Sequence, residues 1–208
     1  MKDTYVHGYN LREQQRLQDQ AATLAELLHD DTAYPAGSLI LEPGCGTGSQ
    51  TITLARSSPE AHIISIDISD VSLAKAARTI EEAGITNVEF RRGDIFGLDF
   101  GPESFDHVFV CFVLEHLVQP TAALDALKRI LKPGGTITVI EGDHGSTYFH
   151  PHSEAAHRAI QCQVELQKRG GGDANIGRLL YPMLTAAGFG SVVVSPRMVY
   201  ADASRPGY

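Results

Sequence analysis

Apolar, β-branched segments alternate with amphipathic segments from residue 38 onward. The strand-like segments cover residues 38–41, 62–68, 87–91, 107–112, 136–140 and 191–194. Between them, residues 70–83 and 121–131 place apolar side chains at helical spacing. The first of these helical stretches ends at Gly84 and the second at residues 133–135, which read Pro-Gly-Gly. The pattern predicts an α/β fold with a doubly wound, mostly parallel sheet and helices on both faces.

Further amphipathic segments flank this core. Residues 11–29 predict a helix at the edge of the domain. Residues 153–168 and 175–187 predict two more helices, and Pro182 is expected to kink or break the second. Three glycines at residues 170–172 separate the two and are interpreted as a hinge or linker within one domain.

Composition and charge narrow the classes of partner. The 208 residues carry a formal net charge of −8 at pH 7, which opposes nonspecific attraction to nucleic acid. No apolar run approaches the roughly 20 residues of a membrane span, and the first residues lack the apolar stretch of a signal peptide. The three cysteines, Cys45, Cys111 and Cys162, match neither a disulfide framework nor a metal-binding pattern. We therefore expect a cytoplasmic protein without a membrane partner or a nucleic-acid partner.

The first predicted strand runs into a glycine-rich turn. Residues 42–48 read Glu-Pro-Gly-Cys-Gly-Thr-Gly, and a helical pattern opens at Ser49. Glycines at alternate positions let backbone amides approach a ligand closely. The stretch has no lysine for a phosphate-binding P-loop, and Ser49 stands where a dinucleotide fingerprint requires glycine. The acidic Glu42 instead suits a cationic or hydroxyl-bearing ligand, with a purely structural turn as the alternative.

In an open parallel sheet, ligands bind beyond the carboxyl ends of the strands. The second strand ends at Asp67, 23 residues after Gly44, a spacing that suits a carboxylate accepting hydrogen bonds from both ribose hydroxyls of a nucleoside. A helix cap is the alternative role for Asp67. After the third strand, Asp94 could reach the exocyclic amine of an adenine while Ile95 packs against the ring. The fourth strand delivers Cys111 to the same crevice.

The ordered combination of these pieces resembles the class I S-adenosylmethionine-dependent methyltransferases, and most closely their small-molecule branch of ubiquinone-type enzymes. The pieces are Glu42-Pro-Gly-Cys-Gly-Thr-Gly48, Asp67, Gly93-Asp94, Phe105-Asp106 through Leu114-Glu115-His116, and Leu131-Lys-Pro-Gly-Gly135. They span residues 39–141, about half of the chain. The resemblance implies an enzyme that transfers methyl from S-adenosylmethionine to oxygen, nitrogen or carbon of a small molecule, with S-adenosylhomocysteine as product.

The same resemblance implies the cofactor contacts and the division of the chain. The contacts are Glu42 near the aminoacyl end, Gly44, Cys45, Gly46 and Gly48 around the methionine and ribose, Asp67 at the ribose hydroxyls, Asp94 and Ile95 at the adenine, and the Cys111 carbonyl at the methionine ammonium. Ile68 is a further candidate for cofactor binding. Tyr9 lies where many family members carry a lid, with an anchoring contact for the first helix as the alternative. Within one domain over residues 1–208, residues 1–35 are an N-terminal helix or lid, residues 36–141 the cofactor-binding core, and residues 142–208 substrate-side helices and the last strand.

Two histidines are candidates for catalysis. A sulfonium is already an activated methyl donor, so in-line placement of the nucleophile supplies much of the acceleration. A general base is needed only if the acceptor must lose a proton early. His144, just past the fifth strand, is the candidate for a catalytic or substrate contact, and His116 for a base or a structural, substrate-lining role. The histidine-rich residues 141–152 match no zinc spacing, so a polar loop at the substrate entrance is favoured over a metal site.

The C-terminal region departs from the family, whose sheet has seven strands. Residues 201–208 are too short for a helix and a returning strand, so the final antiparallel edge strand is expected to be missing. A short hairpin partner at residues 197–201 is the less favoured alternative. An exposed edge at residues 191–194 predicts either a homodimer through the C-terminal edge or an unusually open acceptor pocket.

Two other functions stay open at this point. One is an S-adenosylmethionine-binding protein without transferase activity, left so by the short C-terminal region. The other is a nicotinamide-dependent oxidoreductase, against which Ser49 and the Leu-Lys-Pro-Gly-Gly stretch at residues 131–135 both weigh.

Overall fold

A single open sheet of five parallel strands organises the part of the chain that the structure describes. The computed structural model of the protein describes residues 23–204. The strands are β1 (Leu39–Pro43), β2 (His62–Asp67), β3 (Val88–Arg92), β4 (Phe105–Cys111) and β5 (Leu131–Ile140). Their order is β3-β2-β1-β4-β5, and all neighbouring pairs are parallel. The predicted α/β fold is confirmed, and the change of direction between β1 and β4 creates the switch point at which such sheets bind ligands.

Helices connect the strands and follow the sheet. They are α1 (residues 23–29), α2 (Ser49–Ser57), α3 (Asp70–Glu82), α4 (Pro120–Ile130), α5 (Glu154–Arg169) and α6 (Leu180–Ala186). Short 3₁₀ turns occupy Leu114–His116, His144–Ser146 and Ile176–Leu179. None of the helices between residues 23 and 204 has the length and apolar character that a membrane crossing requires.

Local chemistry explains where several helices begin and end. The Ser69 side chain accepts a hydrogen bond from the Ser72 amide at 3.2 Å and caps α3, and Ser153 caps α5 in the same way. Gly84, with φ +66°, follows the end of α3. The predicted helix over residues 175–187 is divided, because Pro182 falls in the first turn of α6, where its missing N–H costs nothing.

Hydrophobic side chains project from both faces of the sheet because successive residues of a strand point in opposite directions. Ile40 and Phe109 pack in one cluster with Leu54 of α2. Leu41 packs in the other cluster with Leu127 of α4. Residues buried on both sides are typical of a parallel sheet covered by two helical layers, so the doubly wound arrangement is confirmed.

The predicted sixth strand at residues 191–194 is wrong, as no residue from 191 to 204 lies in a strand or a hairpin. Val193 and Met198 are 89% and 80% exposed. Arg197 instead anchors this segment beside α1, donating to the Leu27 carbonyl at 2.8 Å and pairing with Asp30 at 2.7 Å. A strand needs a neighbour for its backbone hydrogen bonds, and this anchor holds the segment away from the sheet. The described sheet therefore has two edge strands, β3 and β5.

Candidate functional site

The glycine turn between β1 and α2 lies at the carboxyl edge of the sheet. Gly44, Gly46 and Gly48 have φ values of +73°, +54° and +81°, which side chains disfavour. A Cβ at Gly44 would lie 2.7 Å from Val113, and one at Gly48 would lie 3.1 Å from Ala76. A Cβ at Gly46 would meet no atom of the described residues within 4 Å. Two of these glycines therefore allow close packing, and Gly46 faces open space.

Asp67 ties this turn to the end of β2. Its Oδ2 accepts a hydrogen bond from the Gly46 amide at 2.9 Å, and its Oδ1 accepts one from the Ser69 amide at 2.8 Å. The side chain that caps α3 is Ser69, so the alternative role of Asp67 as the helix cap is not the one observed. Because each carboxylate oxygen has a second lone pair, Asp67 can still accept hydroxyl hydrogen bonds from a ligand at the open side of Gly46.

Glu42 and Cys45 turn their side chains into the protein. Glu42 is 2% exposed, and its Oε2 accepts hydrogen bonds from Ser65 at 2.6 Å and from Thr51 at 2.8 Å. Burial raises the pKa of Glu42 to about 7, although these two hydrogen bonds act to lower it. Glu42 therefore joins β1, β2 and α2. The Cys45 side chain is buried in the same way, which leaves its backbone as the part that faces the turn.

The end of β3 carries an exposed polar group beside apolar ones. Asp94 is exposed and its Oδ1 accepts a hydrogen bond from the Phe96 amide at 2.9 Å, so it forms a local turn. Ile95 is only 8% exposed and belongs to the hydrophobic core. Ile68 and Phe96 are 62% and 48% exposed at this edge. Ile68 and Phe96 therefore offer exposed apolar surface against which a ligand ring can pack. The sequence pattern did not single out Phe96.

Cys111 ends β4 beside the switch point. Burial, followed by the negative charges of Glu141, Glu42 and Glu115, raises the pKa of the Cys111 thiol well above its ordinary value. The thiol is therefore neutral and unsuited to act as a nucleophile. The next residue, Phe112, has φ +55°, so the chain turns sharply here.

Glu141, immediately after β5, fastens the turn that follows β4. Its Oε1 accepts hydrogen bonds from the amides of Val113 at 3.0 Å and Leu114 at 2.7 Å. Its Oε2 is buried and has no hydrogen-bond partner within residues 23–204. Burial, with a contribution from the Glu115 charge, raises the pKa of Glu141 to about 8, so this carboxyl is largely protonated at neutral pH.

The two candidate histidines meet at one buried carboxylate. Glu115 is 6% exposed, its Oε1 lies 3.4 Å from His116 Nε2, and its Oε2 lies 3.6 Å from His144 Nε2. Burial acts to raise the pKa of Glu115, but the His144 and His116 interactions outweigh it, and the net pKa lies below its usual value. The sequence pattern missed Glu115, and its only local signal was its position beside His116 after the fourth strand.

The loop that carries His144 is fixed by residues 172–178. Arg178 forms a bidentate ion pair with Asp143, in which Nε donates to Oδ2 at 3.0 Å and Nη2 donates to Oδ1 at 2.5 Å. Asn175 accepts a hydrogen bond from the Gly145 amide at 2.8 Å. The predicted hinge at residues 170–172 packs tightly at its end, since a Cβ on Gly172 would collide with the Glu115 carbonyl.

An open cavity of about 470 Å³ lies beside this loop. It is lined by Gly145, Thr147, His157, Ile160, Gln161, Val164, Glu165 and Asn175. The predicted lid residue Tyr9 lies outside the described residues. Within residues 23–204, no three or more His, Cys, Asp or Glu side chains are grouped so that they could hold a metal ion.

Comparisons with known proteins agree on one kind of domain. The family model described as a methyltransferase domain matches residues 36–188. A demethylmenaquinone methyltransferase from Clavibacter sepedonicus is 41% identical over 106 residues, which are 51% of this chain and 42% of that protein. The chain spans about half the length of the curated relatives it matches.

Solved structures share the fold. The cyclase SpnF is 27% identical with a TM-score of 0.60, over 81% of this chain and 57% of its own. An S-adenosylmethionine-dependent methyltransferase from Aquifex aeolicus has a TM-score of 0.65 at 18% identity, over 87% of this chain and 89% of its own. The second likeness extends over nearly the whole of both chains and matches the open parallel sheet described above.

Proposed function

We propose that this chain, which belongs to the methyltransferase domain family, transfers a methyl group from S-adenosylmethionine to a small molecule. The observation that carries the proposal is the paired arrangement of Gly46 and Asp67. No atom of the described residues lies within 4 Å of a Cβ built on Gly46, and the Asp67 carboxylate accepts a hydrogen bond from the Gly46 amide at 2.9 Å. This gives a ligand both room and a hydroxyl acceptor at the switch point of the sheet.

The charge of the site suits a cationic ligand without phosphate. Asp67 ends β2, Asp94 follows β3, and the ionised Glu115 lies close enough to Cys111 to raise the pKa of its thiol. A phosphate-binding loop would gather positive charge instead. The residues present therefore fit S-adenosylmethionine, which carries a sulfonium and an ammonium, better than a nicotinamide dinucleotide.

The proposed contacts follow from this arrangement. Asp67 accepts from the ribose hydroxyls, Asp94 from the adenine amine, and the Cys111 carbonyl from the methionine ammonium. The exposed Ile68 and Phe96 line the adenine, in place of the buried Ile95. When bound, the cofactor supplies an activated methyl group, so this chain has to orient the acceptor and exclude water.

We propose that the acceptor enters beside the loop at residues 142–147. The open cavity there is lined by the aliphatic side chains of Ile160 and Val164 and by polar groups that include Thr147 and Asn175. Such a mixed lining suits an amphipathic small molecule. His144 lies on this loop, is about one-third exposed, and is the proposed catalytic contact, while His116 is less exposed.

Calorimetric titration tests the cofactor. The protein is titrated in parallel with S-adenosylhomocysteine and with NAD, and micromolar or tighter binding of the first alone is expected. Binding of NAD alone would overturn the proposal in favour of an oxidoreductase. Transfer of isotope-labelled methyl to a panel of hydroxylated, amine-bearing and quinol acceptors, followed by mass spectrometry, then identifies the acceptor class.

A second candidate is cofactor binding without methyl transfer. The solved structure of SpnF, which shares this fold, is named as that of a cyclase. A protein with this fold therefore does not always carry the name of a methyltransferase. Binding of S-adenosylhomocysteine with no labelled product from any acceptor would favour this candidate. Labelled product from one acceptor class would exclude it.

We further propose a homodimer that covers the open edge of β5. Support comes from the position of β5 as one of the two edge strands of the described sheet and, in the segment after α6, from the exposed apolar residues Val193 and Met198. Light scattering coupled to size-exclusion chromatography should give twice the 22.5 kDa chain mass. A monomer across the micromolar range would contradict it.

The thiols of Cys45, Cys111 and Cys162 are unpaired, which supports the prediction of a cytoplasmic location. Cell fractionation checks this prediction.

A further inference from the structure

Glu115 is a buried carboxylate that faces two imidazoles and has an unsatisfied oxygen. Its Oε2 is buried, has no hydrogen-bond partner among the described residues, and lies 3.6 Å from His144 Nε2. Its Oε1 faces His116 Nε2 at 3.4 Å. Burying a charged oxygen that accepts no hydrogen bond costs free energy of folding. Such an unsatisfied oxygen is rare in folded proteins and often indicates a functional role.

We infer that Glu115 is a positioning residue that holds His144 in the Nε2–H tautomer, leaving Nδ1 as the atom that takes the proton of the methyl acceptor. The inference rests on the proposed methyl transfer. An ionised carboxylate can only accept, so the nitrogen facing it carries the hydrogen. A neutral imidazole then has its lone pair on the opposite nitrogen.

The surroundings of His144 agree with this tautomer. Its Nδ1 lies 3.5 Å from Nε2 of Gln163 on α5, an amide nitrogen that can only donate. This contact is at the limit of a hydrogen bond, so the hydroxyl or amine of an acceptor can replace it. Of the two histidines, the His144 side chain is 35% exposed and that of His116 is 23% exposed. His144 is also carried by the loop beside the open cavity.

One backbone segment holds both members of the pair. The Glu115 carbonyl accepts hydrogen bonds from the Asp173 amide and from Gln167 Nε2, each at 2.9 Å. The carbonyl of Ala174, the residue after Asp173, accepts one from the His144 amide at 3.0 Å. Residues 173 and 174 therefore fix the two backbones relative to each other, which pre-organises the carboxylate and the imidazole.

Among residues 23–204, the charges that face His144 come from two elements. Glu115 approaches from the 3₁₀ turn after β4, and Asp143 from the loop of His144 itself, where Asp143 is already paired with Arg178. From α5, the facing group is the neutral Gln163. Glu115 is therefore the carboxylate whose charge is available to an imidazolium at position 144.

The proton balance of the step is simple. As the acceptor oxygen or nitrogen forms its bond to the methyl carbon, the carbon–sulfur bond breaks and its electron pair stays on the sulfur, giving a neutral thioether. The acceptor proton moves to Nδ1 of His144. The resulting imidazolium lies against the Glu115 carboxylate, which stabilises its positive charge.

Chemical modification tests the pair without any acceptor. Diethyl pyrocarbonate reacts with unprotonated imidazole, and peptide mass spectrometry gives the extent for each histidine across the pH range. Glu115→Gln should make His144 more reactive at acidic pH than it is in the wild type, because the imidazolium loses the carboxylate that faces it. Glu154→Gln is the matched control, because Glu154 pairs with His152 at 2.9 Å. It should change the reactivity of His152 by a smaller amount and leave that of His144 unchanged.

The opposite results would overturn the inference. An unchanged His144 profile in Glu115→Gln means that the carboxylate does not act on this imidazole. Long-range proton–nitrogen NMR of the wild-type protein above neutral pH gives a second test that needs no variant, and an Nδ1–H tautomer would be equally decisive against it. Loss of S-adenosylhomocysteine binding in the wild type would remove the proposed function and leave both of these readouts unaffected.

Kinetics connect the pair to the reaction once an acceptor is known. Glu115→Gln should lower kcat by at least tenfold with little change in KM for S-adenosylmethionine, and should move the acid limb of the pH profile to lower pH. A merely structural role would change KM or thermal stability and leave the position of the acid limb where it is. That result would overturn the inference.

Discussion

The Gly46 amide donates a 2.9 Å hydrogen bond to Asp67 Oδ2, so the turn after β1 is bonded directly to the carboxylate at the end of β2. The other oxygen of Asp67 accepts from the Ser69 amide at 2.8 Å. The Asp67 side chain therefore fixes both the turn that follows β1 and the turn that follows β2. The position of the open Gly46 backbone depends on this carboxylate.

Replacing Asp67 should weaken cofactor binding strongly. Asp67→Ala removes a charged acceptor for two backbone amides and for the proposed ribose hydroxyls, and hydrogen bonds to charged groups are worth roughly 1.5–3 kcal/mol. Calorimetry with S-adenosylhomocysteine should show a loss of tenfold or more. Asp70→Asn is the matched control, since Asp70 is exposed at the start of α3, 3.5 Å from Arg92. Equal losses in the two variants would contradict the assignment.

Two alanine substitutions in the glycine turn should have different effects. Gly48→Ala brings a Cβ to 3.1 Å from the Ala76 backbone at a positive φ, so it should lower the melting temperature. Gly46→Ala meets no described atom within 4 Å and should cost only about 1–2 kcal/mol of backbone strain. Its methyl group enters the space proposed for the ligand, so S-adenosylhomocysteine affinity should fall more than tenfold. Full affinity in a folded Gly46→Ala protein would place the ligand elsewhere.

The buried Glu42 should make stability fall with rising pH. Its folded pKa of about 7 lies above the ordinary 4.5, so its contribution is fully present below about pH 4.5 and is lost as the pH rises through about 7. Glu42→Gln removes this titration and should reduce the loss of unfolding free energy between about pH 5 and pH 8 by on the order of 2–3 kcal/mol. Urea denaturation at several pH values measures it. Parallel curves for wild type and variant would refute the prediction, and the exposed Glu82→Gln is the control.

The ion pair of Arg178 should matter more for activity than for stability. Arg178→Lys keeps the charge and loses the bidentate contact with Asp143. The ion pair is largely solvent-exposed, so it should contribute little to folding. A looser loop at residues 142–147 should lower methyl transfer by about tenfold and speed amide hydrogen exchange there. Arg169→Lys at the end of α5 is the control, and unchanged exchange at Gly145 in Arg178→Lys would argue against the effect.

Local sequence pattern predicted much of the fold for identifiable reasons. The alternation of apolar runs with helical stretches located β1 to β5, because burial on both faces of a parallel sheet demands continuous apolar strands. Gly84 marked the end of α3, and the glycine turn at residues 42–48 marked the start of α2. The switch point followed from strand order, which is strongly restricted in sheets of this kind.

The pattern failed where an outcome depends on a distant partner. Residues 191–194 have the composition of a strand, but a strand forms only where a neighbouring backbone accepts its hydrogen bonds, and Arg197 holds this segment beside α1. The role of Ile95 beside an adenine stays a prediction, and the sequence pattern did not indicate that its side chain is only 8% exposed while that of Phe96 is 48% exposed. Side-chain direction after the last strand residue depends on the turn that follows, which spacing alone does not specify.

The sequence by itself therefore determined the strand and helix periods, the helix ends, the glycine turn, and the carboxylates at the strand ends, all of which depend on residues near one another in the chain. Only the tertiary structure decided that His116 and His144 share the Glu115 carboxylate and that Glu141 fastens the turn after β4. These contacts join residues up to 29 positions apart, and they exist because parallel strands bring their carboxyl ends to one edge.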